Sequence, residues 1–149
     1  MKPMTYRAYL VPANEARYAA IVADLHARLF PTLIFPYPHW GDWWVTWYKE
    51  VPVAFAHVEP TAFYPNTGYF GRVGVLPEHR GHGLQSRLMK MAARRAKTAH
   101  AWEALVSDTT RNPHSAANFE RCGWMQFEPD PEHRKQWGGR FTKYWRLEL

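Results

Sequence analysis

The sequence predicts a single α/β domain, one mixed sheet with helices on both faces. Three observations carry this reading. Short apolar runs with β-branched or alternating character interleave with longer stretches whose apolar residues recur every three or four positions, in the order β-α-(α)-β-β-β-α-β-α-β-β. A chain of 149 residues is long enough for one real core and no more. At mid-chain, Val73-Gly74-Val75-Leu76-Pro77-Glu78-His79-Arg80-Gly81-His82-Gly83-Leu84-Gln85 reads as a strand, a proline, and an Arg-Gly-x-Gly turn opening into a helix.

Taken in order, Tyr6 to Val11 is predicted as a strand closed by Pro12. Asn14 is the expected cap of a helix over Glu15 to Leu29, because Tyr18, Ile21, Val22, Leu25 and Leu29 share one helical face. Pro31 ends it. Leu33 to Trp43 is too proline-rich for a strand and too aromatic for an ordinary solvated loop, with room for a short helix near Pro38 to Trp43. Trp44 to Lys49 and Val51 to Val58 alternate around Glu50 as a hairpin does. Pro60 to Gly68 is a loop and Tyr69 to Leu76 a strand. The next helix is expected over Leu84 to Ala99, with Leu84, Leu88, Met91, Ala92 and Ala96 inward and Arg87, Lys90, Arg94 and Lys97 as a solvated basic face. Ala104 to Ser107 is a short strand, and Asn112 to Arg121 a helix stopped at Gly123. Strands at Trp124 to Phe127 and Tyr144 to Leu149 flank a polar loop, Glu128 to Lys143.

Composition narrows the function. No apolar stretch opens the chain as a secretory signal does, and none approaches the roughly 18 residues of a membrane span. The single cysteine, Cys122, excludes an internal disulfide and suits a reducing cytoplasm, the expected location. Nineteen Lys and Arg against 13 Asp and Glu favour an anionic ligand: a phosphorylated cofactor, an acidic substrate or nucleic acid. His79, His82 and His114 lack metal-ligand spacing, so no metal is expected. The loop at Arg80 to Gln85 points to phosphate. A strand that ends in glycines and feeds a helix gathers unpaired N–H groups at the positive end of the helix dipole.

With this order of elements, Arg80-Gly81-His82-Gly83-Leu84-Gln85 resembles the central signature of the GNAT superfamily of N-acetyltransferases, Arg or Gln followed by x-x-Gly-x-Gly or Ala. The segment Asn112 to Trp124 is similar to that family's pattern of an asparagine, seven residues to a tyrosine, and then a Gly-Phe pair. The resemblance implies one GNAT-like domain over residues 1–149, with a mostly antiparallel sheet of six to seven strands, and acetyl-CoA as acetyl donor. The chain departs from the family at three places. Gln85 stands for a Gly or Ala, Phe119 for the tyrosine many members use as general acid, and Arg72 for a glutamate that some carry five residues before the proline.

The resemblance further implies that N–H groups around Gly81, His82, Gly83, Leu84 and Gln85 receive the pyrophosphate. It implies too that the backbone of Val73 to Val75 pairs with the pantetheine arm, and that Asn112 lies on the cofactor side. Arg80 and Arg87 are candidate phosphate partners. Gly74 within its strand suggests a bulge or the close approach of another chain. The implied reaction is direct attack by a primary amine on the thioester, with the Val75 N–H as oxyanion donor. Glu59 and His57, on one face of their strand, and Asp108 are candidate bases, His57 because imidazole titrates near neutrality. Tyr69, Tyr64 and Ser115 are candidate acids. Phe35, Tyr37, Trp40 and Trp43 form the expected substrate wall, suited to an apolar or cationic group, whereas the basic final loop suits an acidic one. The expected partner is a small-molecule or peptide amine, with no membrane and with a homodimer left open. The alternatives are a nucleic-acid-directed acyltransferase or binder on the same fold, and a non-catalytic acyl-CoA-binding domain.

Overall fold

The computed structural model describes residues 5–35 and 40–149. Seven strands form one sheet in the order β1-β2-β3-β4-β5-β7-β6. In sequence these are β1 (Tyr6–Val11), β2 (Asp42–Tyr48), β3 (Val51–Pro60), β4 (Thr67–Val75), β5 (Ala104–Thr110), β6 (Met125–Gln126) and β7 (Thr142–Glu148). The helices are α1 (Ala16–Leu29), α2 (Leu84–Thr98), α3 (Pro113–Arg121) and α4 (Pro131–Gln136). The β1–β2, β2–β3, β5–β7 and β6–β7 registers are antiparallel and β4–β5 is parallel, so the sheet is mixed and mostly antiparallel as expected. No helix among the described residues is long and apolar enough to cross a membrane.

The chain divides into two compact units, residues 1–58 with 72–88, and residues 59–71 with 89–149. In the first, Val11, Ala13, Val22, Leu25, Trp43, Val45, Phe55 and Leu76 make the buried core. α1 turns Val22, Leu25 and His26 inward, the spacing of one helical face. Its cap is Glu15 rather than Asn14. The Glu15 backbone is extended, its N–H is taken by the Pro12 carbonyl, and no side chain caps the helix. The β2–β3 hairpin closes through Tyr48↔Val51 around Lys49 and Glu50, with Lys49 at φ 55°. β2 begins two residues earlier than the periodicity suggested, because Asp42 and Trp43 pair with Val58 and His57. The expected short helix falls partly on residues 36–39, outside the described residues, and Asp42 and Trp43 belong to β2.

Gly74 explains itself in this unit. A Cβ there would lie 2.7 Å from Leu29 Cδ1 and 3.3 Å from Phe30 Cε2, so the close approach comes from the end of α1.

In the second unit, β5 and β7 pair along their whole length, from Ala104↔Glu148 to Thr110↔Thr142. Phe70, Phe119, Trp124 and Trp145 pack as a ring cluster, with Phe119 stacked on Trp145 at 5.7 Å between centroids and edge-on to Trp124 at 4.8 Å. α3 is capped by Asn112, whose Oδ1 accepts the Ser115 N–H at 3.0 Å, with Pro113 at the first helical position. The final polar loop contains α4, which the sequence reading passed over. Asp130 caps it by accepting the Glu132 N–H, again with a proline following the cap.

Candidate active site

β4 runs into a short 3-10 turn at Pro77–His79, then Arg80 in an extended conformation, then Gly81 and Gly83 at φ +84° and +72°. Only glycine adopts these values without strain, and the space where a Cβ would stand is empty to 4 Å at both. The loop is therefore open on its outer side. The Arg87 N–H reaches back to the Gly83 carbonyl at 3.1 Å, while the N–H groups of Gly81, His82, Gly83 and Leu84 have no backbone acceptor among the described residues. The Leu84 side chain is buried and anchors the helix start, so only its backbone faces a ligand. Such an open, donor-rich cradle at a helix N-terminus fits a pyrophosphate. Arg80 donates Nε–H to the Val75 carbonyl at 3.1 Å, and Arg87 donates to the Tyr6 carbonyl at 3.0 Å, so both guanidiniums are tied to the loop's supports. On the β5 side, β4 pairs only through Thr67, Gly68 and Tyr69, and Val73 to Val75 lie beyond that ladder.

His57 is corrected by the structure. Its ring is 1% exposed, stacked on Trp43 at 4.0 Å, and Nε2 donates to the Trp40 carbonyl at 2.7 Å. Burial pushes its pKa down to about 4, helped by the nearby Arg72 charge and opposed by the Trp40 hydrogen bond. It stays neutral at pH 7, with its one N–H committed. It is a packing group, not a base poised near neutrality. Trp43 is likewise a core residue, stacked on Phe55 and tilted against Phe35, and so does not form the expected substrate wall. Phe35 is half-buried against His26, Trp40 is exposed, and Tyr37 lies outside the described residues. Arg72 donates Nε–H to His26 Nε2 at 3.3 Å and lies 5.9 Å from the Phe30 ring centroid. Burial first, and Arg72 second, lower the His26 pKa. Phe119 is buried in the ring cluster with Phe70, Trp124 and Trp145. Asn112 serves as a helix cap and Ser115 is buried beside it. Glu59 is half-buried near the end of β3.

The second unit brings together Tyr69, Asp108 and Tyr64, with His133, which the sequence reading missed. Tyr69 donates its hydroxyl to Asp108 Oδ2 at 2.6 Å. The Asp130 N–H donates to the Tyr64 oxygen at 2.8 Å, and the Tyr64 hydroxyl and His133 Nδ1 share a hydrogen bond of 3.0 Å. His133 Nε2 lies 3.8 Å from Asp108 Oδ2. Burial raises the pKa of Tyr64 and of Tyr144. The available signal for His133 was Asp130-Pro131-Glu132, a cap, a proline and an acid that start a helix with His133 in its first turn. Among the described residues no group of three or more His, Cys, Asp or Glu is arranged to hold a metal.

Comparison with known proteins bears on the family and the fold. The sequence model of the Acetyltransferase (GNAT) family matches residues 9–124. No curated protein matches the chain by sequence. Among solved structures, an IAA acetyltransferase from Bacillus cereus superposes with a TM-score of 0.76 at 19% identity, covering 97% of this chain and 100% of the other. A Bacillus subtilis acetyltransferase in complex with CoA gives 0.74 at 16% identity, over 97% and 99% of the two chains. A GNAT family acetyltransferase from Elizabethkingia anophelis with acetyl-CoA bound gives 0.73 at 16% identity, over 97% and 98%. The fold is shared with these structures, and the family match extends over most of the chain: the protein belongs to the GNAT acetyltransferase family.

Proposed function

We propose that this protein is an acetyl-CoA-dependent N-acetyltransferase acting on the primary amine of a small molecule or a peptide. The observation that carries the reading is the loop at Gly81 to Gln85, with two glycines at positive φ and N–H groups of Gly81, His82, Gly83 and Leu84 lacking backbone acceptors. Neighbours of the same fold solved with CoA or acetyl-CoA bound support it. Bound there, acetyl-CoA supplies an acetyl group already activated as a thioester. The loop holds its pyrophosphate through backbone donors, and the free edge of Val73 to Val75 receives its arm as an added strand. In this reading the Val75 N–H stabilises negative charge on the carbonyl under attack. The lone Cys122 suits a cytoplasmic setting.

The experiment is release of CoA thiol from acetyl-CoA across a panel of small amines and N-terminal peptides. We expect amine-dependent thiol release that Gly83→Glu abolishes. Thermal stabilisation by oligonucleotides and not by acetyl-CoA would instead select a nucleic-acid binder. Stabilisation by acetyl-CoA with no thiol release from any amine would select a non-catalytic binding domain.

A further inference from the structure

Gly81 and Gly83 give the donor loop its shape and also leave it loose. Glycine gives up more conformational freedom on ordering than any other residue, and nothing stands within 4 Å of either missing Cβ. Such a loop binds an anion tightly only when something outside it holds the binding conformation beforehand. Its two ends are fixed locally: Arg80 donates Nε–H to the Val75 carbonyl, and Leu84 is buried at the start of α2. A further hold comes from far away in the sequence, from Tyr6. β1 is an edge strand of the sheet, and β2 and β3 lie between it and β4. Tyr6, the first residue of that edge, meets the loop region at three points. Its hydroxyl and His79 Nδ1, just ahead of the loop, share a hydrogen bond of 3.0 Å. Its ring centroid lies 5.4 Å from that of His82, inside the loop. Its carbonyl accepts from Arg87 Nη1, in the first turn of α2, at 3.0 Å. All of these residues belong to the first unit. Tyr6 is itself held in place. It stands opposite Tyr48 in the β1–β2 register with the two rings 5.3 Å apart, and Tyr48 also packs 5.4 Å from His79.

We propose that Tyr6 is a positioning residue for acetyl-CoA: it braces the loop ahead of, within and after its glycines, so that the pyrophosphate meets N–H groups already aimed. The inference rests on the acetyl-CoA reading of the loop and adds to it a residue from the opposite end of the strand order. Tyr6 acts through its neighbours and not on the ligand, because its hydroxyl is engaged by His79 and its carbonyl by Arg87. The bond to the Tyr6 carbonyl uses one N–H of a guanidinium that carries several. It orients the Arg87 group and leaves the other donors for a phosphate. His82 is exposed, and the Tyr6 ring gives its side chain a surface to rest on. The loop's freedom is thereby reduced before the ligand arrives, and less of the binding free energy goes into ordering it.

The test is calorimetric titration of the full chain with acetyl-CoA, for wild type, Tyr6→Phe, His79→Phe and the double variant. Tyr6→Phe removes the hydroxyl and keeps the ring and the carbonyl, so it is expected to fold as the wild type does. Its affinity for acetyl-CoA is expected to fall about fivefold, the worth of one ordinary hydrogen bond. In the His79→Phe background the same substitution should change affinity by less than about twofold, because the two groups act as one pair. Tyr9→Phe is the control: Tyr9 lies on the same strand, is 54% exposed and packs against Trp47, and its loss of a hydroxyl should leave affinity unchanged. In turnover, Tyr6→Phe should raise the KM for acetyl-CoA by the factor seen in binding, while kcat and the KM for the amine move by less than about twofold. Wild-type binding of acetyl-CoA matched within about twofold by Tyr6→Phe would overturn the proposal. So would a Tyr6→Phe effect that persists in full without His79, or a loss of thermal stability in Tyr6→Phe with no loss of affinity. Absence of acetyl-CoA binding by the wild type would be a different failure, that of the acetyl-CoA reading itself, and would take this inference with it.

Discussion

His57 holds its proton on Nε2 for the Trp40 carbonyl while burial keeps the ring neutral. The folded pKa, about 4, lies below the ordinary 6.5, so the unfolded chain binds the proton more readily. Stability is therefore full above pH 6.5 and falls as the pH drops from 6.5 towards 4, by up to about 3 kcal/mol from this residue. His26 shifts in the same direction. Urea denaturation of wild type and His57→Phe at pH 7 and pH 4.5 checks this, and the variant should lose much of the difference. Gly83 is the second residue with a sharp expectation. Gly83→Ala puts a Cβ at φ +72° in open space, so the fold should lose only about 1 to 2 kcal/mol in thermal denaturation while CoA affinity falls. The glycines were legible in the sequence because their backbone requirement is local. The fate of His57 and Trp43 was not, because both depend on burial between α1 and the β2–β3 hairpin, which no single segment encodes.

α1 contributes Leu25 to the first unit's core, and Leu25→Ala should cost about 2 to 5 kcal/mol by chemical denaturation. α4 depends on its cap. Asp130→Ala removes the acceptor for the Glu132 N–H, and a loss of about 1 kcal/mol is expected in thermal denaturation. Because the Asp130 N–H also holds Tyr64, the same variant tests how firmly α4 keeps His133 in register. Elements with long periodic runs, α1, α2 and the β2–β3 hairpin, were readable to within a few residues, since a helical or alternating apolar pattern fixes their faces. α4 was missed because its six residues are polar and too short for a period, and only Asp130 and Pro131 mark it. The hydrogen-bonded set of Tyr64, Tyr69, Asp108 and His133 was invisible for a related reason. Its members come from a loop, β4, β5 and α4, and only pairing brings them together.

The whole molecule carries a net charge of +6, and an anionic donor approaching it should associate faster at low salt. Stopped-flow association with acetyl-CoA should slow as ionic strength rises, with little change in dissociation. The same charge is compatible with nucleic acid, and the family match does not by itself identify the acceptor. The donor half of the account rests on one loop and is tested by one measurement. Thermal denaturation of wild type and Gly83→Glu is followed with acetyl-CoA in excess. Wild type should be stabilised by about 3 kcal/mol at a hundred times the dissociation constant, and Gly83→Glu not at all. Equal stabilisation of both proteins, or of neither, would contradict the assignment of Gly81 to Gln85 as the acetyl-CoA site.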